Sequence, residues 1–150
     1  MSGIIAQNTL DSSGLIKSPS GGGAWTFIKK LTASSSSTLS FVDGSSDVDL
    51  STYKEYIFYF VNMHPSANQN FEFNVSIDGG SNYNVAKTTS FFRAQHLESG
   101  SAAVFEYVTG DDLAQGTGNA RISNLCGTEN DMCVSGYLHL FNPNSDVFVK

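Results

Sequence analysis

Residues 71–84 read Phe-Glu-Phe-Asn-Val-Ser-Ile-Asp-Gly-Gly-Ser-Asn-Tyr-Asn, a run that alternates and then turns. Phe71, Phe73, Val75 and Ile77 fall on one side of an extended chain, and Glu72, Asn74, Ser76 and Asp78 on the other. That two-residue period predicts a half-buried strand. Asp78-Gly79-Gly80 follows, and adjacent glycines supply the positive φ angles of a tight reversal, so the stretch predicts a β-hairpin. The expected fold class is all-β: an antiparallel β-sandwich, jelly-roll-like, with an extended N-terminal arm.

Working outward, the core is expected to begin at Trp25. Further strands are expected at 25–31 and 38–42, separated by the serine run 34–37, and then at 53–62, 83–93, 102–109, 120–125 and 136–141. The run 53–62, Tyr-Lys-Glu-Tyr-Ile-Phe-Tyr-Phe-Val-Asn, is almost continuously apolar and aromatic, which predicts a central strand covered on both faces. It ends before Pro65, which cannot donate to a ladder. Short strands with turns at roughly ten-residue intervals are the mark of a sandwich or barrel. One pattern repeats: Phe60-Val61-Asn62-Met63-His64-Pro65 leads to Phe71-Glu72-Phe73, and Leu140-Phe141-Asn142-Pro143 leads to Val147-Phe148-Val149. The second copy stops at Lys150 as its returning strand begins. Either the natural chain continues, or 147–149 forms an edge that a neighbour completes.

Residues 1–24 divide from the sandwich domain, 25–150, by composition. Ser12-Ser13-Gly14 and Ser18-Pro19-Ser20-Gly21-Gly22-Gly23 bury too little apolar surface to offset their ordering entropy, which predicts a flexible arm. Ile4, Ile5, Leu10, Leu15 and Ile16 are interspersed along it, a pattern that suits anchoring on a neighbouring subunit or lying as a strand along the domain's own sheet.

The formal net charge is −6, and no basic cluster exceeds Lys29-Lys30, so nucleic acid is an unsuitable partner. No apolar run approaches the roughly 20 residues of a membrane span, and the N-terminus lacks signal-peptide character, so the chain reads as soluble and not exported by the general route. Cys126 and Cys133 can close a disulfide or stand as two small thiols, the latter favoured in a reducing compartment.

Little here points to chemistry. Ser76, Asp78, Gly79, Gly80 and Tyr83 resemble an Asp-box, the Ser-x-Asp-x-Gly-x-x-aromatic turn of sialidases and other propellers, in which the Asp caps backbone amides and the aromatic packs beneath. One copy without blade repeats implies a structural hairpin and no glycosidase. His64, His96 and His139 have no metal-ligand spacing, and Asp43, Asp47, Asp49, Asp111 and Asp112 lack the EF-hand pattern, so solvated turns explain them better. Nucleophile motifs and phosphate loops are missing from the sequence. The expectation is a non-enzyme without cofactor or metal.

Several segments together are similar to a family of tailed-bacteriophage virion proteins of marine-phage and cyanophage type, tail-fibre-like. They are Gly23-Ala24-Trp25-Thr26-Phe27-Ile28-Lys29, Tyr56-Ile57-Phe58, Asn62-Met63-His64-Pro65, the 76–84 turn, Phe91-Phe92-Arg93-Ala94 and Leu138-His139-Leu140-Phe141-Asn142-Pro143. The resemblance covers most of the chain and carries no catalytic motif. It implies a virion protein made in the host cytoplasm: a tail-fibre or adhesion component anchored by its arm, forming a homo-oligomer, a trimer by preference. Its partners would be other virion proteins and a host-surface glycan, met by loops 66–70, 99–103 and 110–119. Alternatives are a capsid decoration or head-fibre protein, and a carbohydrate-binding module stacking sugars on Tyr53, Tyr59, Tyr83 or Tyr107.

Overall fold

The structure, a computed structural model, describes residues 25–145. Six strands form: β1 (Glu55–Met63), β2 (Gln69–Phe73), β3 (Phe92–His96), β4 (Ala103–Tyr107), β5 (Ala120–Cys126) and β6 (Val134–Phe141), with one 3-10 turn at Thr109–Asp111. They pair antiparallel as β1 with β6, β2 with β5, and β3 with β4, giving three two-stranded sheets. The described residues are thus all-β and antiparallel, as the alternation predicts. The expected arm residues Ile4, Ile5, Leu10, Leu15 and Ile16, and the expected strand 147–149, lie outside the described residues. Among the described residues no helix is long and apolar enough to cross a membrane.

In the β1–β6 ladder Glu55 faces Phe141, Tyr56 faces Leu140, and Tyr59 faces Tyr137. Paired residues share a face, so Tyr56, Phe58, Phe60, Leu138 and Leu140 form one apolar side. This side is the inner one. Tyr56 is 4% exposed, and its hydroxyl oxygen accepts the Tyr53 N–H at 2.9 Å. Phe58 meets Phe41 edge-on at 5.3 Å, and Phe60 meets Phe71 of β2 at 4.8 Å. Val48, Ala120 and Cys126 are the other buried hydrophobic residues among those described. The ladder is irregular between Phe60 and Met63, where Asn62 adopts φ 52° and donates its N–H to Ser135 Oγ at 3.0 Å.

Several expected elements take a different form. Among the described residues, 53–62 do not make a central strand: β1 has one ladder neighbour there, and on its outer face Tyr59 and Val61 are 67% and 76% exposed. Continuous hydrophobicity here signals two apolar faces, one of which the other described residues leave bare. Residues 25–31 and 38–42 form no strand. The chain beyond them folds into a compact turn instead, with Ser45 N–H bonded to Val42 O and Gly44 N–H to Val48 O, helped by positive φ at Gly44, Ser46 and Asp47. Within 83–93 only Lys87 bridges to Gly116 before β3 begins, although Val85, Lys87, Thr89 and Phe91 alternate in burial with exposed neighbours.

The strand that carries the start of this alternation, β2, opens at Gln69 and stops at Phe73, four residues short of the alternation's end. Its partner is the reason. Phe73 pairs with Ala120, the first residue of β5, and beyond that point β2 has nothing to bond. Ile77 is left 86% exposed. Gly79 and Gly80 do reverse the chain, at φ 69° and 83°, but the segment after them pairs with 113–116 and not with β2. The reversal is a tight turn and not the linker of a β-hairpin. Cys126 is buried, Cys133 is exposed, and both are free.

Truncating Phe60 to alanine removes the ring that joins the β1–β6 and β2–β5 sheets. It should lower stability by about 2 kcal/mol in urea unfolding, with the value held below a full core deletion by the ring's partial exposure.

Candidate functional site

The turn anticipated from the sequence assembles around one carboxylate. Ser76 donates its hydroxyl to Asp78 Oδ1 at 2.7 Å, and Ser76 Oγ in turn accepts the Gly80 N–H at 3.0 Å. Asp78 accepts the Asn82 backbone N–H at 2.8 Å and the Asn82 side-chain amide at 2.6 Å. The Ser76 hydroxyl, followed by Asn82, holds the Asp78 carboxyl at about 2, well below the ordinary carboxylate value. Tyr83 donates its hydroxyl to Ser40 Oγ at 2.9 Å, tying the turn to the segment before the first strand. A Cβ at Gly80 would meet Val42 Cγ2 at 3.2 Å and the Tyr83 hydroxyl at 3.3 Å, so this glycine answers both a positive φ and a close approach. The polar side chains bond to one another, to the turn's own backbone and to Ser40, so the constellation is a brace that fixes the turn.

The other acidic cluster behaves alike. Asp43 Oδ1 accepts the Leu50 N–H at 2.8 Å, and Asp49 takes the Ser51 N–H and hydroxyl and the Thr52 hydroxyl. The Ser51 hydroxyl, then Thr52, holds Asp49 at about 2. Among the described residues no group of three or more His, Cys, Asp or Glu side chains is placed to hold a metal ion. His64 Nε2 meets Glu129 O at 2.8 Å, and His139 Nδ1 meets Glu55 Oε1 at 2.6 Å on a different strand.

One polar hub escaped the sequence reading. Asn74 donates to Tyr83 O at 3.0 Å and Asn119 Oδ1 at 3.0 Å, and it accepts the Lys87 ammonium at 2.6 Å. Asn119 then donates to Glu72 Oε2 at 3.1 Å. Partial burial pushes the Lys87 ammonium down from its usual value. The hub gathers the end of β2, the 83–89 segment and the 113–119 loop. Four polar residues spread over nearly fifty positions leave no local signal to find.

The largest feature left over is apolar. On the outer face of β1–β6, Tyr59, Tyr137, His139 and Phe141 form a continuous row, with ring centroids 6.3, 5.3 and 5.8 Å apart in that order. Tyr137 and Phe141 are exposed like Tyr59 and Val61. In β3–β4, Phe92 faces Tyr107 and Ala94 faces Phe105, so one side carries three aromatics while the other carries Arg93, Gln95, Val104 and Glu106. The sidedness runs against expectation for an isolated domain. The aromatic side is open, with Phe105 82% exposed, whereas the ion-paired Arg93 and Glu106 are half-buried. Tyr107 donates its hydroxyl to Asp112, which raises its own pKa. Of the tyrosines named as sugar platforms, Tyr53 packs on Tyr56, Tyr59 on Tyr137, and Tyr107 on Phe92, so the structure does not bring these together.

Comparison with protein-family models, with curated proteins and with solved structures gives no match for this chain.

Two outcomes follow from the brace. Replacing Gly80 by alanine should cost about 1–2 kcal/mol in denaturant unfolding, because a Cβ is strained at positive φ and crowds Val42. A carboxyl whose folded pKa lies below its unfolded value stabilises fully above about pH 4 and loses that contribution as pH falls through about 2. The Asp78 and Asp49 carboxyl carbons should therefore titrate by NMR near 2; midpoints at their ordinary value would mean that the caps are open in solution.

Proposed function

We propose that this chain is a structural, non-enzymatic subunit of a phage virion, of tail-fibre or adhesion type, which works by assembling with copies of itself and with other virion proteins. Residues 1–24 serve as its anchoring arm. The observation that carries the reading is the pair of bare aromatic faces, on β1–β6 and on β3–β4. A chain that functions alone buries such faces, whereas contiguous exposed apolar patches mark association surfaces. Tyr59, Val61, Tyr137 and Phe141 together offer an area on the order of 500 Å². With its rim, such a patch approaches the roughly 800 Å² per partner of a stable interface.

Association also supplies the finer architecture. A two-stranded sheet with apolar faces becomes one layer of a sandwich when a second sheet covers it, and here the cover comes from a neighbouring subunit. The resemblance of the motif order to tail-fibre-like virion proteins is in keeping with this reading, with a trimer as the preferred assembly. In the β1–β6 row Tyr59–Tyr137 and Tyr137–His139 meet at steep angles, 57° and 70°, and only His139–Phe141 is near-parallel, at 28°. Such a surface interdigitates with side chains better than it stacks flat on a sugar.

The test is the state of association. Sedimentation of the full chain at micromolar concentration should give a defined oligomer, and Tyr59→Lys with Tyr137→Lys should shift it to monomer while the β circular-dichroism signal persists. Antibody raised against the chain should label purified particles at a few symmetric positions. Labelling spread over the shell would make it a decoration protein, and a monodisperse wild-type monomer would remove the assembly reading.

A further inference from the structure

The Asn74 hub holds an amine against a carboxamide. Lys87 Nζ lies 2.6 Å from Asn74 Oδ1. An amide C=O bond spans about 1.23 Å, so the amine nitrogen is at most about 3.8 Å from Asn74 Cγ. Reacting atoms about 3–3.5 Å apart are in near-attack range, and a small movement of the flexible lysine reaches it.

The other contacts of this amide suit acyl transfer. Val75 N–H donates to Asn74 Oδ1 at 2.9 Å, so the oxygen that gains negative charge on attack already has a backbone donor. The amide nitrogen Nδ2, on the leaving side, donates to Tyr83 O and Asn119 Oδ1, both at 3.0 Å, and to Thr117 O at 3.4 Å. Donors on one side and acceptors on the other fix which way the amide points. Lys87 also donates to Val85 O at 2.9 Å, and a neutral amine keeps that bond while its lone pair faces Cγ. Partial burial favours the neutral amine by lowering the ammonium's pKa. Glu72 brings a carboxylate to the hub: its Oε2 accepts from Asn119 Nδ2 at 3.1 Å, one bridging amide away from Asn74 Nδ2.

We propose that Lys87 and Asn74 join in an intramolecular isopeptide bond, a covalent staple across the 74–87 turn. The lone pair of Lys87 Nζ attacks Asn74 Cγ; the Nζ–Cγ bond forms and the Cγ–Nδ2 bond breaks. Nζ gives up one proton, Nδ2 gains one and departs as ammonia, and a secondary amide links the two side chains. Glu72 carries the proton between the nitrogens, through the solvent that reaches the exposed Asn119. No atom changes oxidation state. Such a staple answers a weakness of this fold, because few side chains are fully buried and, among the described residues, β2 has no ladder bond to the segment after the reversal. A covalent link there restrains the unfolded chain as a disulfide does. The inference stands apart from the assembly reading.

The experiment follows the intact mass of the full-length chain, from purification through a week at about pH 9, where more of the amine is free. The mass should fall below that of the sequence by about 17 Da, one ammonia lost to the attacking lysine. Trypsin should then leave 55–93 as one peptide, since a modified Lys87 no longer directs cleavage, and backbone breaks between 74 and 87 should release no fragments. Lys87→Arg, which retains a cationic donor, should keep the full mass. Glu72→Gln, which keeps an oxygen for Asn119, should close the bond about tenfold or more slowly, and Glu72→Asp should restore part of the rate. A full mass in wild-type chain with an intact β circular-dichroism signal, or a loss that persists in Lys87→Arg, overturns the staple. An equal rate in Glu72→Gln overturns the part given to Glu72.

Discussion

The edge-on contact of Phe60 with Phe71 joins two of the three sheets, and their relative placement depends on it. Register makes it possible. Because Tyr56, Phe58 and Phe60 alternate with Ile57, Tyr59 and Val61, a slip of one residue between β1 and β6 would turn the ring of Phe60 outward and separate the sheets. The irregularity at Asn62, bonded to Ser135, pins that register at its far end.

Polar groups complete what the small core begins. Few side chains are fully buried, so the loops cannot be held by apolar packing alone, and carboxylates and amides take over. Asp43, Asp49 and Asp78 each close a turn on backbone N–H groups, and Asn74 ties three separate segments together. Bonds of this kind fix direction more than they add stability, since each is exchanged against water. The result is a scaffold with well-defined turns and little interior.

How much of this was legible depends on the range of the interaction concerned. The Asp78-Gly79-Gly80 reversal is local, and its glycines announce it. The alternation of 71–77 is equally local, yet its last four residues form no ladder because pairing is decided by β5, nearly fifty residues away. Residues 25–31 look like a strand by composition and form none with the other described residues. The apolar run at 53–62 pointed to a central strand covered on both faces, and β1 has one open face and one ladder neighbour among the described residues. What it could not signal is that the second cover is missing from the chain's own described residues. The Asn74 hub and the outward turn of the β3–β4 aromatics depend on tertiary placement and have no short-range signature.

If other copies of the chain cover the open aromatic side of β3–β4, as proposed above, stability is linked to abundance. When aromatic area is hidden only by joining another molecule, folding and association share one equilibrium, and a dilute subunit is held less firmly than a crowded one. Under that proposal heat resistance would be a property of the finished assembly, and a newly made chain would stay loose until enough siblings accumulate to enclose it.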